Sequence, residues 1–234
     1  MSTQELASLE NDLGYQFKET DLLREALQHS SYVNEQKDSA LRDNERFEFL
    51  GDAVLDLVIT HVLMNHFPVT REGDLSRMRA IIVNESQLAT VAQRLNLGQH
   101  LLLGRGEALS HGQEKSSILA DALEAVIAAI YLDGGLQAAF EVIEKQFNHV
   151  ISQVGERLAA EDFKSRLQEL VQVRFKTTPD YKVVAESGPD HDKTFEVSLS
   201  IGTLLTTHGT GKSKKAAEQA AAQIALQKLR GELE

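Results

Sequence analysis

The chain has 234 residues and no cysteine, which excludes disulfide bonds and thiolate metal sites. Its apolar content of 42% and charged content of 25% are ordinary for a soluble globular protein. The formal net charge is −11, and residues 1–160 carry all of it, because residues 161–234 are neutral. This acidity argues against nonspecific polyanion binding, which depends on Lys and Arg. It leaves open a nucleic-acid enzyme with local basic groups and metal-binding acids.

The length accommodates one large domain, or one medium and one small domain. The sequence has no run of 18 apolar residues and no basic, apolar leader at its start. We therefore expect a cytoplasmic protein without a membrane partner.

The predicted elements of the first part of the chain are helices. Leucines three and four positions apart predict a short helix within the first 13 residues, and Thr20 is a candidate N-cap of a second. Residues 29–43 are polar and predict a loop. A long helix follows over residues 44–66, with Asn44 as its candidate N-cap and an apolar centre typical of a core helix.

Residues 72–95 predict one further helical region, which a glycine-containing loop follows. A strongly apolar helix is predicted over residues 118–132, where Gly134 and Gly135 end it. A last helix covers residues 136–158. Because no convincing alternating strand occurs before it ends, residues 1–158 predict an all-α domain.

The pattern changes after a predicted linker at residues 159–162. The elements that follow are a helix, three strands and a helix, at residues 163–173, 181–186, 194–201, 204–208 and 213–230. The second strand is the clearest, because apolar residues occupy alternate positions in it. Residues 163–232 therefore predict a small α+β domain of order α-β-β-β-α, with helices on one face of an antiparallel sheet.

Three carboxylates share one narrow sector of the long helix, at about 100° per residue: Glu45, Glu48 and Asp52. The residues between them are mostly apolar, so the acidic stripe lies on a helix built for burial. Like charges at this spacing destabilise a helix, and buried carboxylates need a partner or a metal. A divalent cation is the simplest candidate. A solvated helix face with Arg partners is the alternative.

A second acidic pair, Asp121 and Glu124, lies three residues apart in the apolar helix 118–132 and so shares one face. Arg partners or a capping role are the alternatives for Asp121. Two apolar helices with carboxylates indicate one shared site for a hard cation. Without cysteine or a histidine cluster, Mg²⁺ is favoured and Mn²⁺ is a plausible substitute. Carboxylate-held Mg²⁺ commonly serves phosphodiester hydrolysis.

Other kinds of site fit less well. The chain contains neither His-Glu-x-x-His nor Glu-x-x-His, which argues against a zinc protease and a di-iron bundle. A phosphate-binding loop would need glycine where the chain has Thr206. The last helix begins among Lys212, Lys214 and Lys215, although the helix dipole disfavours cations there. Phosphate binding would resolve this conflict, and a solvated helix start is the alternative.

These motifs together resemble the ribonuclease III family over nearly the whole chain. The resemblance of the helical part rests on residues 44–55, 72–80 and 118–125, with Phe47 where leucine is more usual. The C-terminal part is similar to a double-stranded-RNA-binding domain, and the order of the two domains is that of bacterial enzymes. This second similarity rests on residues 164–169, 188–191 and 211–218.

The resemblance implies a Mg²⁺-dependent endoribonuclease that cuts double-stranded RNA and leaves 5′-phosphate and 3′-hydroxyl ends. Its expected substrates are ribosomal RNA precursors and other structured RNAs. The catalytic and metal-binding set would be Glu48, Asp52, Asp121 and Glu124. Asp52 and Glu124 would activate the hydrolytic water, and Glu45 and Glu72 would support the site. Asp56 has no counterpart role in the family and is interpreted as structural or solvated.

The resemblance also implies partners. Phe49 matches a position that packs into a second subunit of a homodimer, although a lone helical phenylalanine equally fits a core. Gln168 would enter one RNA minor groove and the loop of His191 the next, with His191 as a plain turn residue being the alternative. The lysines at 212, 214 and 215 would contact phosphates across the major groove between them.

Two other functions remain open from the sequence. A cleavage-dead RNA-binding or ribosome-associated protein could use the same scaffold, but such relatives typically lack some of the four carboxylates present here. A purely structural acidic scaffold would not explain why the last helix of the C-terminal domain begins among lysines. Cleavage of duplex RNA with and without Mg²⁺ separates these functions.

Overall fold

The structure is a computed structural model that describes residues 3–189 and 193–231. The chain divides into two compact units, residues 1–155 and 156–234. In its described residues the first unit is helical, with one isolated parallel bridge between Gln28 and Leu102. The second unit has the order helix, three strands, helix. The predicted fold class, an all-α domain followed by a small α-β-β-β-α domain, is confirmed.

Eight α-helices are described from the start of the chain to the second unit: α1 (Thr3–Leu13), α2 (Thr20–Ala26), α3 (Ser30–Glu35), α4 (Glu45–His66), α5 (Glu72–Ile82), α6 (Glu85–Arg94), α7 (Arg105–Leu109) and α8 (Ser116–Glu161). Two short 3₁₀ turns, Leu97–His100 and Gly112–Glu114, lie between them. The core is formed largely by the centre of α4 and the first half of α8, whose inward-facing apolar side chains are almost fully buried.

Two predictions for this unit are wrong in detail. The polar segment 29–43 is not all loop, because α3 forms within it and the side chain of His29 accepts a hydrogen bond from the Ser31 N–H at its start. The region 72–95 is two helices, since the chain leaves the helical conformation at Asn84. The Asn84 side chain accepts a hydrogen bond from the Gln87 N–H at 2.9 Å and so caps α6.

The predicted N-cap of α2 is wrong, whereas Asn44 does occupy the predicted N-cap position of α4. Thr20 is the first residue of α2, and the N–H groups of Lys18 and Glu19 donate instead to the distant Asp133 carboxylate at 3.0 and 2.8 Å. Asn44 precedes α4 but makes no side-chain cap. The N–H groups just before α2 are thus bonded to a distant carboxylate, and the side chain of Asn44 is bonded across helices to the carbonyl of Ala26.

Helix α8 is interrupted where the sequence predicts it, because Gly135 has a φ of 77° that residues with a side chain rarely adopt. Just before this break, Asp133 accepts a 2.6 Å hydrogen bond from the Tyr15 hydroxyl. Part of α8 is long and apolar enough to cross a membrane, but 44% of that stretch is buried within the protein. Core helices of soluble proteins share these properties, so the finding carries no membrane assignment.

After the last residues of α8, the second unit contains α9 (Phe163–Phe175), β1 (Asp180–Ser187), β2 (Thr194–Ile201), β3 (Leu205–Gly211) and α10 (Lys214–Gly231). The strands form an antiparallel sheet of order β1-β2-β3, and the pairing of β1 with β2 shifts between Val183 and Ala185. The inward side chains of β2, Leu199 and Ile201, pack with α9 and the alanine-rich face of α10. This face is apolar because alanine recurs at helical spacing, as the sequence predicts.

Candidate metal centre and nucleic-acid interface

Three carboxylates from two helices meet in the helical unit. Glu48 of α4 and Asp121 and Glu124 of α8 each offer one oxygen, and these oxygens all lie within 4.8 Å of one another. All three residues are partly buried. A hard divalent cation needs several oxygen ligands at this kind of spacing, so the donor set fits Mg²⁺ or Mn²⁺.

Glycine at position 51 allows the two helices to come this close. A Cβ atom at Gly51 would lie 1.8 Å from the backbone carbonyl oxygen of Glu124. Any side chain there would push α4 away from α8 and separate Glu48 from Glu124. Gly51 is therefore part of the centre's construction, although it offers no ligand atom.

The three clustered carboxyl groups all have raised pKa values. Burial raises the pKa of Glu124 to about 8, and the charges of Asp52 and Glu48 add to the rise. Burial and the charge of Asp121 likewise raise the pKa of Glu48. A low-dielectric environment and like charges both disfavour ionised carboxylates, and a bound cation would reverse that preference.

The described basic side chains do not neutralise these three carboxylates. Within the described residues, no Lys or Arg side chain forms an ion pair with Glu48, Asp121 or Glu124. Arg79 of α5 instead pairs with Asp56 of α4, at 3.6 Å, and also donates to the Thr60 hydroxyl at 3.1 Å. The alternative of Arg partners therefore applies to Asp56 and not to the three clustered carboxylates.

The other acidic residues singled out from the sequence lie outside this group of three. Asp52 is exposed, one turn along α4 from Glu48, and is the charge that contributes most to the raised pKa of Glu124. Glu45 is exposed and contributes to the raised pKa of Glu48. Glu72 is the first residue of α5, and its carboxylate accepts a 2.8 Å hydrogen bond from Ser76.

The C-terminal unit carries the predicted basic residues at the start of α10. The hydroxyl of Ser213 accepts a 3.1 Å hydrogen bond from the Ala216 N–H and so caps this helix. Lys212, Lys214 and Lys215 are exposed around the cap. The Lys214 ammonium lies 3.4 Å from the Glu186 carboxylate, at the end of β1. Positive side chains therefore surround a helix N-terminus, an arrangement that favours anions.

Gln168 is exposed on α9, as a groove contact requires. His191 lies outside the described residues, so the structure does not place it.

Comparison with known proteins agrees with this arrangement of two units. Residues 19–150 match the model of the ribonuclease-III-like family, and residues 163–229 match that of the double-stranded RNA binding motif. Ribonuclease 3 of Myxococcus xanthus is 50% identical over 222 residues, which cover 95% of this chain and 85% of the relative. The chain belongs to the ribonuclease III family.

Other relatives of the family agree. Ribonuclease 3 of Syntrophobacter fumaroxidans is 49% identical over 231 residues, covering 95% of this chain and 93% of the relative. A solved structure of the ribonuclease III nuclease domain from Campylobacter jejuni matches 61% of this chain and 99% of that domain, with 46% identity and a TM-score of 0.55. The protein is thus an endoribonuclease of the ribonuclease III type, as the sequence predicts.

Two residues near the centre of this family enzyme were missed in the sequence. The charge of Glu85, at the start of α6, is the largest charge contribution to the raised pKa of Asp121, after burial. The charge of His29 acts on Asp121 in the opposite direction. Neither residue shares a helical face with a ligand, and both are separated from Asp121 by more than 30 positions, so no spacing rule could have found them.

The raised pKa values predict how the stability of the metal-free enzyme depends on pH. Between an unfolded pKa of 4.5 and a folded pKa of about 8, folded Glu124 holds a proton that the unfolded chain has lost. The free energy of unfolding should therefore fall as pH rises through this window, by roughly 2 kcal/mol after allowance for solvent screening. Urea unfolding in EDTA at pH 5.5 to 8.5 measures this pH dependence of the free energy of unfolding. Glu124→Gln should flatten the dependence, and an unchanged slope in that variant would contradict the assignment.

Proposed function

We propose that this enzyme hydrolyses phosphodiester bonds of double-stranded RNA in a Mg²⁺-dependent reaction that leaves 5′-phosphate and 3′-hydroxyl ends. The observation that carries the proposal is the meeting of Glu48, Asp121 and Glu124 within 4.8 Å, on a chain that also contains a double-stranded RNA binding motif. Their all-oxygen donor set suits Mg²⁺, with Mn²⁺ as a substitute.

The proposed roles of the side chains follow from their places. Glu48, Asp121 and Glu124 would hold the cation, which when bound supplies charge stabilisation and a more acidic water. Asp52, exposed beside Glu124, would orient the attacking water together with Glu124. Glu45 and Glu72, both exposed at helix starts, would orient water or RNA at the rim.

Binding of a cation at this centre is coupled to the loss of a proton from Glu124. Because the pKa of Glu124 is raised to about 8, this carboxyl group keeps a proton at neutral pH without a cation. Binding a cation requires the ionised form, so the proton must leave. Apparent affinity for Mg²⁺ is therefore expected to rise with pH up to about this value.

The second unit would bind the RNA duplex. Its exposed lysines, Lys212, Lys214 and Lys215, would contact phosphates at the capped start of α10. Gln168 and the loop containing His191 would enter the two flanking minor grooves. Such contacts read A-form shape and 2′-hydroxyls and not base sequence. The proposed substrates are accordingly structured RNAs, including ribosomal RNA precursors, processed in the cytoplasm.

We further propose that the enzyme acts as a homodimer, with Phe49 in the interface. Three large apolar side chains project from one side of α4: Phe49, Leu57 and Met64 are 83%, 57% and 60% exposed. An exposed apolar stripe of this kind marks an interaction site. The related nuclease domain from Campylobacter jejuni has a structurally flexible region involved in dimer formation. A two-fold dimer would present one carboxylate group to each strand of a duplex.

Dimer formation is tested by placing a charged residue in the exposed apolar stripe of α4. Phe49→Lys should give a monomer, because an ammonium group at the centre of an apolar interface loses its hydration without gaining a partner. Light scattering on a sizing column measures the mass. Leu109→Lys changes an equally exposed leucine on α7 and should leave the dimer intact. A dimeric Phe49→Lys protein would show that the stripe is not the interface.

The function itself is tested by one assay on the whole chain. A long duplex RNA should be cut in Mg²⁺ or Mn²⁺ and stay intact in EDTA, and single-stranded RNA of the same sequence should be cut far more slowly. Sequencing of the products should find 5′-phosphate ends. Binding without cleavage in Mg²⁺ would instead support an RNA-binding protein, and cleavage in EDTA would refute the metal centre.

A further inference from the structure

The residue just before α4 has an unexpected set of partners. Asn44 is only 4% exposed. Its side-chain amide donates to the carbonyl of Ala26 at 3.2 Å, and its backbone N–H donates to the carbonyl of Gln28 at 2.9 Å. Its own carbonyl accepts a hydrogen bond from the N–H of Glu48 at 2.8 Å. One buried residue therefore joins the end of α2 to the turn of α4 that carries a candidate ligand.

The same short segment is bonded on its other side to the chain that leads towards α8. The N–H of Leu102 donates to the carbonyl of Leu27 at 2.9 Å, and the N–H of His29 donates to the carbonyl of Leu102 at 3.1 Å. The Ser31 hydroxyl accepts a hydrogen bond from the Gly104 N–H at 2.9 Å. Residues 26–29 thus lie between the start of α4 and the segment that precedes α7, and are hydrogen-bonded to both.

Capping the helix does not account for the amide of Asn44. The N–H of Glu45 donates to the Asp43 carboxylate at 3.3 Å, so Asp43 serves the start of α4. Asn44 makes no side-chain cap. A buried amide is costly unless it is hydrogen-bonded, and this one is bonded across helices instead of along its own.

We propose that Asn44 is a positioning residue of the metal centre. Its amide holds the first turn of α4 against the end of α2, and so places Glu48 at the right distance from Asp121 and Glu124. Glu48 follows Asn44 by one helical turn and is bonded to its carbonyl, so a displacement of Asn44 moves Glu48 with it. This inference rests on the proposed metal centre, and residues that orient ligands contribute strongly to metal affinity.

The test measures Mn²⁺ binding to the full chain, by electron paramagnetic resonance of free Mn²⁺. Asn44→Ser and Asn44→Asp both lose the amide donor, yet serine and aspartate are strong N-cap residues, so neither should weaken α4 itself. We expect roughly 10- to 100-fold weaker Mn²⁺ binding in both. Asn44→Asp is the sharper variant, because its added negative charge near the centre would by itself strengthen cation binding.

Asp43→Ala is the matched control. It removes the neighbouring cap of α4 and leaves the hydrogen bond between the Asn44 amide and the Ala26 carbonyl intact. It should lower the melting temperature and leave Mn²⁺ affinity within about twofold. In the Asn44 variants, binding of duplex RNA in EDTA should be unchanged, and cleavage should recover as Mg²⁺ is raised. A change confined to folding would not give this pattern.

The outcomes separate the two proposals. Glu48→Gln should abolish tight Mn²⁺ binding; if the unmodified protein shows no such Glu48-dependent binding, the metal centre itself is refuted. If that binding is present and Asn44→Ser binds Mn²⁺ as tightly as the unmodified protein, the positioning role is overturned. Unfolding of both Asn44 variants, seen by circular dichroism, would assign Asn44 to general stability and also overturn it.

Discussion

Asp52→Asn and Glu124→Gln are each expected to abolish cleavage of duplex RNA while the protein still binds it. Both changes keep the shape of the side chain and remove its charge. Glu124→Gln removes one cation ligand from the group of three carboxylates within 4.8 Å. Asp52→Asn removes the exposed charge that acts on Glu124. Losing one preorganised charged group at a reacting centre reduces turnover by on the order of 10²- to 10³-fold.

Binding should survive because the proposed phosphate contacts lie in the other unit. A gel shift with duplex RNA in EDTA measures this, and cleavage rates at several Mg²⁺ concentrations measure the loss. Glu141→Gln is the matched control, since Glu141 is an exposed carboxylate on the same helix whose partner is Gln137, at 3.0 Å. Normal turnover of either site variant at saturating Mg²⁺ would refute its proposed role.

Gly51→Ala is expected to damage the fold and the centre together. The added methyl group would lie 1.8 Å from the carbonyl oxygen of Glu124, and backbone atoms cannot yield as a flexible side chain does. Relief requires the two helices to separate, at a cost of about 3 kcal/mol or more in the free energy of unfolding. Glu48 would then lie farther from the carboxylates of α8, so Mn²⁺ affinity should fall in the protein that remains folded.

Gly73→Ala provides the comparison, because nothing lies within 4 Å of a Cβ atom at that position in α5. Alanine favours a helix over glycine, so this variant should be as stable as the unmodified protein or more stable by up to about 1 kcal/mol. Urea midpoints and Mn²⁺ titrations of both variants measure the difference. An unchanged midpoint and affinity for Gly51→Ala would mean that the helices do not cross as described.

Local patterns in the sequence were enough for the elements that are long and regular. The helical spacing of Glu48 and Asp52, the pair Asp121 and Glu124, and the break at Gly135 all lie where predicted. The alternation in β2 gave its bounds without error. Such patterns are reliable because the periods of the helix and the strand decide which side chains share a face.

Prediction failed where a distant partner outweighs local preference. Asn44 and Thr20 are good capping residues by type, but Asn44 bonds to Ala26, and Asp133 satisfies the N–H groups before Thr20. The short helix α3 lies in a polar segment without an apolar repeat, so no periodicity could indicate it. These misses involve a remote hydrogen-bond partner or a helix too short to show a period, whereas the missed break at Asn84 is a local cap between two helices of ordinary length.

The sequence by itself determined the two-domain order, the acidic faces of α4 and α8 and the family. It could do so because these properties depend on residue type and spacing within one element. Only the tertiary structure decided which carboxylates meet: Glu48 joins Asp121 and Glu124, and Asp52 lies outside. Which carboxylates meet depends on the close crossing of α4 and α8 at Gly51. The residue spacing within one helix does not determine its distance from another helix that is remote in the sequence.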